Sequence, residues 1–244
     1  MEAVVVTGLY GKLPAHGDFV YRNLPSEFIS VWDEWLQHYI ASSKDQLGDE
    51  WLDIYLTSPI WRFVFSEGVV DESSWGGIVV PSVDRIGRYF PISIVTKLPS
   101  KLNPLEFLLS QNNWFTQIEE DTLEALSGDL TADDLLGKIT SIDLTFNTAY
   151  SRSESIKDNK PVIINMNFEE PTPTSASTCI LDSVLLKSVS SYSAWTTTGS
   201  EYVEPSLFFS QGLPPISGIP AMLNGQWAQA DWQQPYQLNT EIVN

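Results

Sequence analysis

Two β-branched runs, Ile78–Val80 and Ile92–Thr96, bracket the stretch Pro81-Ser82-Val83-Asp84-Arg85-Ile86-Gly87-Arg88-Tyr89-Phe90-Pro91. Such runs around a short glycine-containing loop predict a β-hairpin, with Gly87 able to take a positive φ that other residues resist. The hairpin gathers Asp84, Arg85 and Arg88 at its tip. Arginine is scarce: the chain has five, two of them on this loop, and 13 Lys plus Arg in all against 31 Asp plus Glu. A guanidinium is a planar fork that matches carboxylate or phosphate, so the tip is a candidate recognition site. An alternative stays open, in which Asp84 pairs with one of the arginines and merely fixes the hairpin.

The formal net charge of −18 is uneven, with −6 in residues 1–100 (13 acidic, 7 basic) and −12 in residues 101–244 (18 acidic, 6 basic). A surface of that sign repels nucleic acid and anionic lipid, and attracts a basic protein partner if it attracts any. Cys179 is the only cysteine, which excludes an internal disulfide and a cysteine-based zinc site. Two histidines, His16 and His38, leave little for a His-rich metal centre. The start, Met1-Glu2-Ala3-Val4-Val5-Val6, lacks the basic and apolar regions of a signal peptide. No apolar run approaches the roughly 18–20 residues of a membrane helix. A soluble cytoplasmic protein without membrane insertion is the expectation.

The periodicity supplies the elements. Val4–Thr7 reads as a strand closed by Gly8, followed by the glycine-punctuated segment Gly8 to Phe19. Phe28, Trp32, Trp35, Leu36, Tyr39 and Ile40 recur at helical spacing and predict a helix over 25–41, which leaves His38 on its polar face. A second helix is expected over 44–56, weakened by Gly48. The pattern then turns extended at Trp61–Phe65 and Trp75–Val80, which with 89–97 predicts an antiparallel meander. Asn103-Pro104-Leu105-Glu106 reads as the start of a helix to about Leu126, and Thr131 as the start of a shorter one. Strands are expected at Leu144–Phe146 and, after a polar loop over 151–160, at Val162–Met166. A linker at Pro171–Thr174, a helix over 175–188, a hairpin around Gly199 and a short helix near Ala221–Leu223 complete the chain. No linker forces a split, so residues 1–244 read as one α/β domain, with a mixed, partly antiparallel sheet and helices on both faces.

Motifs for catalysis are absent. Gly11-Lys12 suggests a phosphate loop, but the Gly8–Gly11 spacing is too short and Leu13 stands where Ser or Thr would hold magnesium. No Gly-x-Ser-x-Gly elbow and no His-Glu-x-x-His helix occurs. Cys179 lies in a Ser/Thr-rich helix with no neighbouring histidine and reads as an inert thiol. His16, Asp18 and Asp84 could serve as acid, base or metal ligand only if the fold converges them. Otherwise Asp18 caps the following segment and His16 is a loop residue.

Several ordered motifs together carry a resemblance. They are Gly8-x-x-Gly11-Lys12-Leu13-Pro14-x-x-Gly17-Asp18-Phe19 with Arg22, Trp32-Asp33-x-Trp35-Leu36, and Trp51-Leu52-x-x-Tyr55-Leu56-Thr57-x-Pro59-x-Trp61-Arg62-Phe63. Pro81-Ser82-x-Asp84-Arg85-x-Gly87-Arg88-Tyr89-Phe90-Pro91 follows, and later Trp195, Pro205-Ser206 and Gly212-Leu213-Pro214. On these the chain resembles the TagF/ImpM family of proteins associated with bacterial type VI secretion, densely over 8–100 and weakly over 190–225. The resemblance implies a three-layer α/β/α sandwich and a cytoplasmic protein that restrains secretion after translation. It implies as partner a protein component of the apparatus, a forkhead-associated scaffold protein being the candidate. Some members are fused to a phosphatase domain; this chain has no such extension, so no phosphatase activity is expected. The resemblance brings no catalytic residue and no cofactor.

Among the matched charged residues outside any secure helix are Lys12, Asp18, Asp84, Arg85 and Arg88. We expect the 11–18 segment to pack beside the 84–88 loop and form one polar site for a partner or ligand. A non-enzymatic inhibitory binding protein is the leading expectation. An enzyme or small-ligand sensor acting on a phosphorylated ligand through Asp18, Asp84, Arg85 and Arg88 is the alternative, and a purely structural scaffold subunit a third.

Overall fold

Alternation along the strands decides where the helices pack. In β3 (Trp61–Phe65), Trp61, Phe63 and Phe65 face one side and Val64 the other. β4 (Trp75–Val80) sends Ile78 and Val80 to the side of Val64, and Trp75 and Val79 to the opposite one. β5 (Ile92–Lys97) divides Ile92 and Ile94 from Val95 in the same way. With β1 (Thr7–Gly11), β2 (Val20–Arg22), β6 (Tyr192–Thr197) and β7 (Ser206–Gln211) they form a seven-stranded sheet in the order β2-β1-β5-β4-β3-β6-β7. The computed structural model describes residues 6–100, 102–146, 173–230 and 232–237.

Helices cover both faces. On one lie α1 (Ser26–Leu47), α2 (Trp51–Leu56) and α7 (Ile219–Asn224), packed on Trp61, Phe63, Phe65 and Trp195. On the other, α3 (Pro104–Ser110), α4 (Asn112–Leu126) and α5 (Ala132–Ser141) pack on Val64, Ile78, Val80, Ile92 and Ile94. α6 (Pro173–Ser188) adds Leu185 and Leu186 to that second core. The tryptophans bring polar handles inside together with apolar area. Trp32 is fully buried, lies 5.0 Å from the Trp35 ring and 5.1 Å from the Phe63 ring, and donates its indole N–H to Ser93 Oγ at 3.0 Å. No helix among the described residues is long and apolar enough to cross a membrane.

The fold is of the α/β class, with one correction to the sheet. Every pairing between these strands is antiparallel, so the sheet is antiparallel where a mixed one was expected. Neighbours such as β1 and β2, or β4 and β5, turn straight back on each other. β2 and β3 do run the same way, but β1, β5 and β4 lie between them. Gly8 does not close a strand; it and Gly11 are inside β1, because a Cβ at Gly8 would come within 2.3 Å of the Arg22 carbonyl of β2. β2 itself, three residues long, has no period to announce it.

Other boundaries moved as well. α1 continues through Leu47 and ends where Gly48 takes φ 55°, so the predicted break near 41 is absent. The predicted helix from Pro104 to Leu126 is interrupted at Gln111. Leu144–Phe146 is not a strand, and Pro173 and Thr174 begin α6. The polar loop over 151–160, the strand at Val162–Met166 and Pro171-Thr172 lie outside the described residues.

Gly11 ties the sheet to the segment that follows it. Its φ is 140°, and a Cβ there would lie 2.0 Å from the Pro91 carbonyl oxygen of the facing chain. Gly11→Ala should therefore lower unfolding stability by about 3 kcal/mol, the upper end of ordinary overpacking costs. Gly137→Ala, inside α5 with nothing within 4 Å, should raise stability by up to about 1 kcal/mol. Urea unfolding of the two variants measures both.

Candidate functional site

The loop between β4 and β5 folds around a carboxylate. Asp84 Oδ1 accepts the backbone N–H groups of Ile86 at 3.0 Å and Arg88 at 2.9 Å. The backbone closes the same turn, Asp84 N–H donating to Arg88 O at 3.1 Å and Gly87 N–H to Asp84 O at 3.0 Å, with Gly87 at φ 85°. A short polar side chain bonded to the backbone two and four residues on is how aspartate builds a tight turn.

The other oxygen reaches across the sequence. Asp84 Oδ2 accepts Lys12 Nζ at 2.9 Å and Arg88 Nε at 2.6 Å. Asp84 is 3% exposed and Lys12 5%, although the loop around Asp84 stands in solvent. Lys12 also lies over the Phe19 ring, 4.9 Å from its centroid. Burial pushes the Asp84 carboxyl up, but the Arg88 N–H, the Lys12 ammonium, the Arg88 guanidinium and the Ile86 N–H together hold it well below the usual carboxylate range. It is an anion fastened between two cations.

Further bonds join the same two segments. Ser82 Oγ donates to Lys12 O at 2.6 Å, Arg85 N–H to His16 O at 2.8 Å, and Arg88 Nη2 to Gly17 O at 2.6 Å. Behind them, the Tyr55 hydroxyl of α2 donates to Ser82 O and accepts Ser82 N–H, both at 2.9 Å. The residues 12–18 and 82–88 thus form one hydrogen-bonded unit at one end of the strands β1, β5 and β4.

Of the five residues singled out from the sequence, the structure brings Lys12, Asp84 and Arg88 into direct contact. Asp18 stands apart: its side chain is 86% exposed, 3.9 Å from Arg88 Nη2, and accepts the N–H of Phe19 at 2.9 Å. Arg85 is exposed, and its guanidinium has no ion pair or side-chain hydrogen bond among the described residues. His16 Nε2 accepts the N–H of Ala132 at 2.9 Å, capping the start of α5. Asp18 and Asp84 thus both face Arg88 while His16 engages the start of α5, and none of the three hydrogen-bonds another. No group of three or more His, Cys, Asp or Glu able to hold a metal occurs among the described residues.

Sequence reasoning missed Ser82, Tyr55 and His16 as struts. It also missed the fork of Arg22 on Asp133, at 2.6 and 3.2 Å, which sets β2 against α5. Ser82 and Tyr55 belong to the quoted motifs, but nothing in their spacing shows that they meet.

The motifs read from the sequence converge on this unit, and known proteins match it there. The TagF N-terminal domain family, described as type VI secretion system-associated, matches residues 8–142, which contain both joined segments. The chain belongs to the TagF family. Among solved structures, the crystal structure of PA0076 from Pseudomonas aeruginosa PAO1 is similar at 31% identity and a TM-score of 0.76, over 97% of this chain and 99% of that one. No curated protein matches significantly. The chain is thus a type VI secretion-associated protein of TagF type.

The contacts of Asp84 predict a ranking. Asp84→Ala leaves Lys12 buried without its anion and should cost about 3–5 kcal/mol in urea unfolding. Arg88→Ala keeps Lys12 on Asp84 and removes a half-exposed side chain, so it should cost about 1–3 kcal/mol. Because the folded carboxyl titrates below its ordinary value of 3.8, its stabilising contribution is complete above that pH and disappears as pH falls through the lower folded value. Asp84→Asn should flatten the acid limb of stability against pH, while neutral-pH stability drops.

Proposed function

We propose that this protein is a non-enzymatic cytoplasmic regulator that restrains type VI secretion after translation by binding a component of the apparatus. A forkhead-associated scaffold protein is the first partner to test. The reading rests on the family match over residues 8–142 together with one observation. Within that region Lys12, Asp84 and Arg88 hold a loop in shape, and Arg85 at its tip is exposed to solvent. Binding needs a rigid protruding surface; turnover needs groups aimed at a substrate. Asp84 and Asp18 are both turned to Arg88, and His16 accepts the Ala132 N–H, so the three hold the fold rather than one another, which favours binding over the enzymatic alternative.

Excess protein in cells with an active apparatus should silence contact-dependent killing and sheath assembly while transcript and protein levels of the structural components stay constant. Unchanged killing would sink the regulatory reading, and falling transcripts would move the effect upstream of assembly. Purified protein should show no hydrolysis of ATP, phosphoesters or peptides above background. Turnover abolished by Asp84→Asn would promote the enzymatic alternative.

A further inference from the structure

We infer that the contact to the partner is made by Arg85, and that it takes a single carboxylate presented beside an apolar side chain on an acidic loop of another protein. The inference rests on the regulatory reading above and names the chemistry of its surface.

Three observations carry it. The first is presentation. The Arg85 N–H is held by His16 O at 2.8 Å, and the guanidinium lies over Gly17, where a Cβ would come within 3.2 Å of Nη2. The main chain of Arg85 is thus fixed and its fork rests over Gly17, yet the fork has no ion pair among the described residues. A preplaced arginine loses less freedom on binding than a mobile one.

The second is the setting. Ile86, the next residue, is 65% exposed, and Phe19 on the facing segment is 42% exposed. Phe19 is anchored, its ring 4.8 Å from that of Phe90. A charged fork beside exposed apolar side chains suits a partner residue pair of the same make-up, one carboxylate and one apolar group.

The third is the charge count. Among the five charged residues of the two joined segments, Lys12, Arg85 and Arg88 carry three positive charges and Asp84 and Asp18 two negative ones, a surplus of one. Lys12 and Arg88 are already committed to Asp84. A carboxylate cancels the surplus. A phosphate monoester, at roughly −1.5 to −2, exceeds it. The site is therefore built for carboxylate, although the rest of the chain is strongly acidic; at physiological salt that wider field is screened beyond about 8 Å.

The test has two arms. In the first, the nitrogen-15 signal of the Arg85 Nε–H group, assigned by its loss in Arg85→Lys, is followed while the protein is titrated with acetyl-Phe-Glu-Leu-amide. The same titration is run with the glutamine and phosphoserine counterparts of that peptide. The glutamate peptide should shift the signal saturably, with the glutamine peptide about tenfold weaker or worse, as expected when a charged hydrogen bond is lost. Phosphoserine should bind no tighter than glutamate. Tighter phosphoserine binding, or no movement of the Arg85 signal with any peptide, overturns the inference.

In the second arm, wild type, Arg85→Lys and Arg85→Glu are expressed to equal levels in secreting cells. Melting temperatures near wild type are expected for both variants, since the guanidinium holds no side-chain partner among the described residues. Arg85→Glu should fail to repress, and Arg85→Lys should repress partially. Repression by Arg85→Glu equal to wild type overturns the inference and leaves the regulatory reading standing. Wild-type protein that does not repress sinks the regulatory reading, and the peptide titration then decides Arg85 alone.

Discussion

The carboxylate of Asp84 is the point on which the exposed end of the sheet depends. It closes its own turn through Oδ1 and holds Lys12 and Arg88 through Oδ2, so one side chain fixes both the shape of a loop and its place against another segment. Taking a charge out of water is costly, and a single partner at this depth does not always repay it. Two cations and two backbone N–H groups do repay it, and the depressed pKa of the carboxyl is the sign that the charged form is the stabilised one. An apolar plug of equal volume would exclude water too, but it would not orient the backbone. Hydrogen bonds at defined angles do, and the orientation of Arg85 follows from them.

The clasp works because the sheet delivers both segments to the same end of its strands. β1 and β5 are neighbours with Gly11 opposite Ile92, so the chain leaving β1 runs directly past the chain entering β5. That close approach is possible only without a Cβ at Gly11. Lys12 follows immediately and is thereby placed within reach of Asp84. The aromatic layer beneath α1 and α2 supplies the other support: Tyr55 carries the Ser82 backbone on its hydroxyl, and Trp51 and Tyr55 pack their rings on Tyr89. Core packing and surface presentation are consecutive parts of one chain of contacts.

Where the residues spoke through period or turn chemistry, they were legible. The apolar face of α1, the alternation of β3 and the Gly87 turn were all readable in advance, as was the α/β class. Signals that need a tertiary partner were not. Ser43 looks like a polar surface residue at a helix end, but it is fully buried and accepts the Trp51 indole N–H at 2.8 Å, which helps carry α1 beyond Ile40. Lys12 reads as solvated lysine until Phe19 covers it. The antiparallel order of the sheet likewise depends on which strands become neighbours, and local pattern does not encode that. In the candidate site, the sequence could group five charged residues but not sort them. Asp18 and Asp84 have the same side chain, and only the fold makes one a buried anchor and leaves the other in water.

That sorting bears on how a strongly acidic protein can engage an acidic contact. Lys12 and Arg88 would be the obvious anion binders by composition, but Asp84 neutralises part of their charge and fixes their geometry. What remains positive is the surplus, exposed at Arg85. A site with three free cations would attract any polyanion, phosphate and nucleic acid included, and would discriminate poorly among them. Burying one anion beneath the loop lowers the local charge to a level that a single carboxylate satisfies, and Asp18, 3.9 Å from Arg88, offsets that cation further. Specificity here comes from charges removed as much as from charges displayed, since excluding the wrong ligand needs an unfavourable term as well as a favourable one.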